Sequence, residues 1–231
     1  MSLMKRLFLL IYLVSCCSIV NAQDWTIEQI SKANTANDIP YLSNVEKDAI
    51  KYINLCRLYP EDFLFNELIT YLGTKSYGFD LENSEYRKSL MVLLRTMKPV
   101  HVLNFDIDAY NNAKCFAKEQ GEAGTLGHER INCPMGNYAE CCSYGMDTGL
   151  DIAMQWLIDD NIASLGHRNN CLNGDYSKIG LSVNFHKIWH TCAVADMIWE
   201  SSDTYLNQHP QNSSISNKSS SLVCVKSINS H

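Results

Sequence analysis

Three short stretches of this 231-residue chain carry residue types that can do chemistry together. Gly127-His128-Glu129-Arg130 and Gly166-His167-Arg168 are near echoes of one another, and Asn137-Tyr138-Ala139-Glu140 places an acid between them. A histidine just after a glycine turn is suited to point into a cleft rather than a core. Two imidazoles and a carboxylate from separate segments suit a borderline metal such as zinc, with water in an open coordination position. They equally suit a proton relay or a purely hydrogen-bonded cavity. Other chemistries lack their residues. His128-Glu129 has no histidine four residues after His128, so the zincin pattern is absent. No Gly-x-Ser-x-Gly elbow and no phosphate-cradling glycine loop occur. A nucleophile built from Cys141 or Cys142 with His167 requires a thiolate, which a disulfide would remove.

The elements that must hold these groups are legible from periodicity. From Val45 to Leu58 the residues Val45, Ala49, Ile50, Ile53 and Cys56 share a helical face, with Ser43 or Asn44 as cap and Pro60 as stop. Residues 61–100 read as an inserted helical hairpin, with Leu64, Leu68, Tyr71 and Leu72 on one face and Leu90, Leu93, Leu94 and Met97 on another. A helix from Ala109 to Gly121 precedes the first histidine. Another runs from Asp151 through Trp156 to an acidic exit at Asp159-Asp160. Ile179, Leu181, Val183 and Phe185 alternate with Lys178, Gly180, Ser182 and Asn184, and a second run from Ile188 to Ile198 follows a tight connection, which predicts an antiparallel hairpin. On that hairpin His186 and His190 read as exposed. With a strand near 137–142, these elements predict an α/β fold, a three-layer α/β/α sandwich around a small, mainly antiparallel sheet.

The order of motifs is a helix closing in Asn54-x-x-Arg57, the Gly-His segment, Glu140, the Trp156 helix, Ser164-x-Gly-His-Arg-x-Asn170 and then Lys178-Ile-Gly-Leu-Ser-Val183. It resembles the SCP-like domain of the CAP superfamily (cysteine-rich secretory, antigen 5 and pathogenesis-related 1 proteins) in its bacterial-type form, over roughly Val45 to Asp196. Relatives usually carry Gly-Glu-Asn where this chain has Ala139-Glu140-Cys141. The resemblance implies a cavity lined by two histidines and two acids, sometimes holding a divalent cation and without an agreed enzymatic role. Residue by residue, it marks His128, Glu140 and His167. For the second acid it marks Asp159, with Asp160 competing, and it makes Asn54 and Arg57 structural.

Composition narrows the partners. A net charge of −6 with Lys and Arg scattered leaves no basic stripe to neutralise phosphates, so nucleic acid is excluded. Residues 1–22 read as a signal peptide: Lys5-Arg6, an apolar run from Leu7 to Val14, and a cleavage pattern ending at Ala22. That run is too short to span a bilayer, and no other segment reads as transmembrane. Leu13-Val14-Ser15-Cys16 also resembles a lipobox, so a lipid anchor through Cys16 is the alternative to soluble export. Residues 23–44 read as an irregular lead-in, 45–200 as the domain, and 201–231 as a polar tail with acceptor patterns at Asn212 and Asn217. Eight of the ten cysteines lie beyond the leader, and an even number in an exported chain predicts disulfides. If Cys141 and Cys142 share a strand, they face opposite sides of it and need different partners. The function these readings predict is a secreted, non-catalytic binding module for an extracellular protein, lipid or glycan. The alternative is a metal-assisted hydrolase with Glu140 as base.

Overall fold

A computed structural model describes residues 24–74, 77 and 81–199. The leader with Cys16, and the tail with Asn212, Asn217 and Cys224, lie outside the described residues. The lead-in is not irregular: α1 (Ile27–Ala33) starts from a capping box in which Thr26 and Gln29 bond each other's backbone N–H, a reciprocal arrangement that satisfies two orphan donors. Ser43 and Glu46 start α2 (Asn44–Leu58) in the same way, and Pro60 follows its end. On α2, Ala49, Ile50, Ile53 and Cys56 are fully buried, as the periodicity requires.

Asn54 and Arg57 are structural. Asn54 donates to the Ala33 and Leu103 carbonyls and accepts from the Leu103 N–H. Arg57 donates to the carbonyls of His101, Cys171, Asn173 and Tyr176, tying α2 to the chain that follows the second site histidine. Its burial lowers the guanidinium pKa to about 10.

The inserted segment forms α3 (Pro60–Phe63), a π-helical turn (Leu64–Leu68) and α4 (Glu85–Thr96). Leu64, Leu68, Tyr71, Leu90 and Leu94 are buried, whereas Leu72 and Leu93 are exposed. Next come β1 (Asn104–Phe105), α5 (Ile107–Ala123), β2 (Ala139–Tyr144), α6 (Gly149–Ile158), α7 (Gly166–Leu172), β3 (Tyr176–His186) and β4 (His190–Trp199). The strands form one sheet in the order β1-β3-β4-β2, with β1 parallel to β3 and the other two pairings antiparallel. The protein is therefore α/β, with helices and a four-stranded mixed sheet.

Strand alternation divides the sheet's side chains between two apolar clusters. Cys141, Ala193, Ala195 and Met197 join the larger one with residues of α2 and α6. Cys142, Cys192 and Val194 join a smaller one with Ala113, Phe116 and Ala117 of α5. α5 lies close enough to β3 that glycine is required at the contact. A Cβ on Gly180 would stand 1.9 Å from the Tyr110 nitrogen, and one on Gly121 1.9 Å from the Phe185 carbonyl oxygen. None of the described helices is long and apolar enough to cross a membrane.

Two further expectations need correction. His186 is fully buried: its Nδ1 accepts the Ile188 and Trp189 N–H groups at 3.2 and 3.1 Å, and its Nε2 lies 3.1 Å from the Thr125 carbonyl. It holds the β3–β4 turn closed, a role that only the turn's geometry reveals; His190 is exposed, as read. Among the cysteines, Cys115 and Cys133 form a disulfide, but Cys56, Cys141, Cys142, Cys171 and Cys192 are free and buried. These five sit inside apolar clusters, where a thiol packs as a small hydrophobe without needing a covalent partner.

Candidate functional site

The segment carrying His128 has no regular structure between α5 and β2, and it is fixed by side chains. The Cys115–Cys133 disulfide staples it to α5. One turn along α5, the Glu119 carboxylate accepts the N–H groups of Ile131, Asn132 and Cys133, which hold its pKa below the ordinary range. The Gln120 amide donates to the Gly127 carbonyl, and Tyr144 Oη accepts the Gly127 N–H at 2.9 Å. Gly127 itself has φ of +93°, a left-handed conformation open to glycine. These straps deliver His128 next to β2.

There the His128 Nδ1 lies 2.8 Å from Glu140 Oε1. The other oxygen, Oε2, accepts from the Arg130 guanidinium, which also stacks 4.1 Å over the Phe116 ring. Glu140 pairs with Asp196 across β2 and β4, so the two carboxylates share a face of the sheet. Asp196 is fully buried, Arg130 is 4.0 Å away, and no donor among the described residues reaches either carboxylate oxygen, its side-chain hydrogen-bonding neighbour being the Glu140 carboxylate. Burial first, then the Glu140 charge, pushes its pKa up to about 7, against the opposing pull of Arg130.

The second histidine is held differently. α6 ends at Asp159, which adopts a left-handed conformation (φ 55°) and whose N–H closes on Gln155. Asp159 is 1% exposed, and its Oδ2 accepts the N–H groups of His167 and Arg168. Those are the second and third residues of α7, whose preceding residue Leu165 offers no side-chain cap. Asp159 thus caps α7 from eight residues upstream, while its Oδ1 lies 2.7 Å from the His167 Nδ1. Arg168 turns the other way, donating to the Leu157, Tyr86 and Ile158 carbonyls.

Both imidazoles line a single cavity of about 320 Å³. Asp159, Asp160, Cys142, Tyr77 and Tyr144 contribute to its wall, and Glu140 stands behind His128 rather than on the wall. The four residues singled out in the sequence therefore form two carboxylate–imidazole pairs, His128–Glu140 and His167–Asp159, with the carboxylate side chains 12% and 1% exposed. Asp160, the competing acid, accepts instead from Ser84 and Asn161.

Sequence reasoning missed Arg130, Asp196 and the placement of Cys142. A lone aspartate within the apolar run Cys192-Ala-Val-Ala-Asp196-Met-Ile-Trp199 was the one signal for Asp196. Cys142 faces His128 (3.8 Å) rather than His167, and Cys141 reaches only the His167 carbonyl, at 3.9 Å. Burial, and next the Glu140 charge, holds the Cys142 thiol well above the ordinary range, so no thiolate is preformed for nucleophilic attack. His128, Glu140 and Cys142 offer ligand atoms within 4.8 Å of one another, a group that could hold a metal ion. No protein family, no curated protein and no solved structure matches the chain.

Proposed function

We propose that this chain is an exported, CAP-type binding module whose cavity takes an extracellular protein, lipid or glycan without turning it over. The observation that carries this reading is the pair of imidazoles on one cavity wall, each with its Nδ1 against its own carboxylate. Such pairing with a carboxylate holds each ring in a fixed orientation at the cavity wall. The motif order from Asn54 to Val183 supports the CAP assignment, and the α/β fold is compatible with it. A divalent cation such as zinc fits the residues present, because imidazole, carboxylate and thiolate are its ordinary ligands. When bound, a cation supplies a Lewis-acidic centre that attracts a polar ligand group.

The alternative, a hydrolase using Glu140 as base, is less well supported. A general base needs an oxygen within reach of the water it deprotonates. Here Oε1 meets His128, Oε2 meets Arg130, and the residue does not line the cavity. Binding of a glycan array and a panel of soluble lipids, followed by mass spectrometry of what is retained, tests the reading. Compounds retained unchanged by the wild type and released by His167→Ala are the expected result. Product formation that Glu140→Gln abolishes would establish the hydrolase instead.

A further inference from the structure

We infer that Cys142 is a thiolate ligand, so that the cation of this domain is held by His128, Glu140 and Cys142 rather than by the two histidines. The inference rests on the cation-binding part of the proposed function and names its ligands. His128 Nδ1 and Glu140 Oε1 are 2.8 Å apart, Cys142 Sγ and Nδ1 3.8 Å, and Sγ and Oε1 4.0 Å. Zinc–ligand bonds of about 2.0–2.3 Å at tetrahedral angles separate ligand atoms by roughly 3.3–3.6 Å, and these three distances bracket that value. Two hydrogen bonds must open, the one between Nδ1 and Oε1 and the one the thiol donates to the Gly127 carbonyl at 3.4 Å, as the ion takes the place of the protons.

A second, independent observation lies behind the triad. Asp196 is fully buried, no donor among the described residues reaches either oxygen, and its side-chain hydrogen-bonding neighbour is another carboxylate, Glu140, on the same face of the sheet as Cys142. Two carboxylates there share one guanidinium, Arg130. An uncompensated buried carboxylate is costly, and a divalent ion ligated by a thiolate next to it supplies the missing positive charge. The Arg130 bond to Oε2 leaves Oε1 for the ion and holds the carboxylate in place. Tetrahedral coordination then leaves a fourth position, and both His128 and Cys142 line the cavity, so that position is accessible to water or ligand. Binding releases the thiol proton, the neutral imidazole carries its one ring proton on Nε2 once Nδ1 meets the ion, and no electrons are transferred.

Cobalt(II) tests the assignment on the folded protein, because a thiolate ligand gives a sulfur-to-cobalt charge-transfer band in the near ultraviolet that imidazole and carboxylate do not. One equivalent of cobalt should produce this band. Cys142→Ser and His128→Ala should remove it, while His167→Ala and Cys192→Ser, the latter in the same apolar cluster, should retain it. Zinc affinity should fall more than about 100-fold in Cys142→Ser, beyond the 10–100-fold typical of losing a supporting group behind a ligand. In the unmutated protein, one equivalent of zinc should displace the cobalt and bleach the charge-transfer band, a readout independent of any variant's folding. Cobalt bound without the band, and lost in His167→Ala, would overturn the thiolate assignment and leave cation binding by the histidines standing. No cobalt binding at all would overturn it too, leaving the ligand panel to decide the binding-module reading separately.

Discussion

Replacing Asp159 should separate its three tasks by size. The residue accepts the His167 and Arg168 N–H groups as the cap of α7 (3.0 and 3.2 Å), meets the His167 Nδ1 at 2.7 Å, and sits at φ 55° as the cap of α6. Losing a helix N-cap costs about 1 kcal/mol, within a range of roughly 0.5–2. A hydrogen bond to a charged group is worth about 1.5–3 kcal/mol. A non-glycine residue with no polar side chain pays roughly 1–2 kcal/mol in the left-handed region. Asp159→Ala incurs all three and should destabilise the domain by about 3–6 kcal/mol. Asp159→Asn tolerates the left-handed conformation and keeps one acceptor oxygen, so it should lose only about 1–3 kcal/mol. Urea unfolding, read from the midpoint at unchanged slope, measures both. Equal losses for the two variants, or less than about 1 kcal/mol for Asp159→Ala, would refute the capping role.

Three further outcomes are expected. Gly180→Ala should destabilise by at least about 1–3 kcal/mol in urea unfolding, because its Cβ meets the backbone of α5 at 1.9 Å; a neutral effect would mean that α5 stands further off. Asp196 has a folded pKa raised from 3.8 to about 7, so its ionised form penalises folding in full above about pH 7, and the penalty fades as pH falls toward 3.8. With chelator present, Asp196→Asn should therefore be the more stable protein at neutral pH by up to a few kcal/mol, with the gain shrinking in acid; a gain that grows in acid contradicts the sign. Sequencing of exported protein should give Gln23 as the first residue, and an acylated Cys16 would establish the lipid anchor instead.

What the sequence made legible were features that local physics specifies. A cap at Ser43 or Asn44 announces α2, an apolar face confirms it, and the alternation from Ile179 to Val183 announces β3; the structure puts the cap at Ser43. The two Gly-His segments marked His128 and His167 because a glycine before a histidine is a local signal, Glu140 lies between them in the chain, and Asp159 was marked by the resemblance, with Asp160 competing. What was not legible depends on register and distance. β1 is two residues long and exists through its parallel partner β3. Asp196 acquires meaning only because it falls opposite Glu140. His186 is buried because a three-residue turn folds back onto it. Even cysteine count misled for a related reason: Cys141 and Cys142 each complete a different apolar cluster on opposite faces of β2, so neither needs a covalent partner to be buried.

The cavity's claim to bind is tested most directly by calorimetric titration of the folded protein with zinc, at neutral and at mildly acidic pH. About one equivalent should bind, more tightly at neutral pH because the ligands must shed protons, and His128→Ala should abolish the heat while leaving the unfolding transition in place. No saturable binding, or binding that His128→Ala leaves unchanged, would contradict the account.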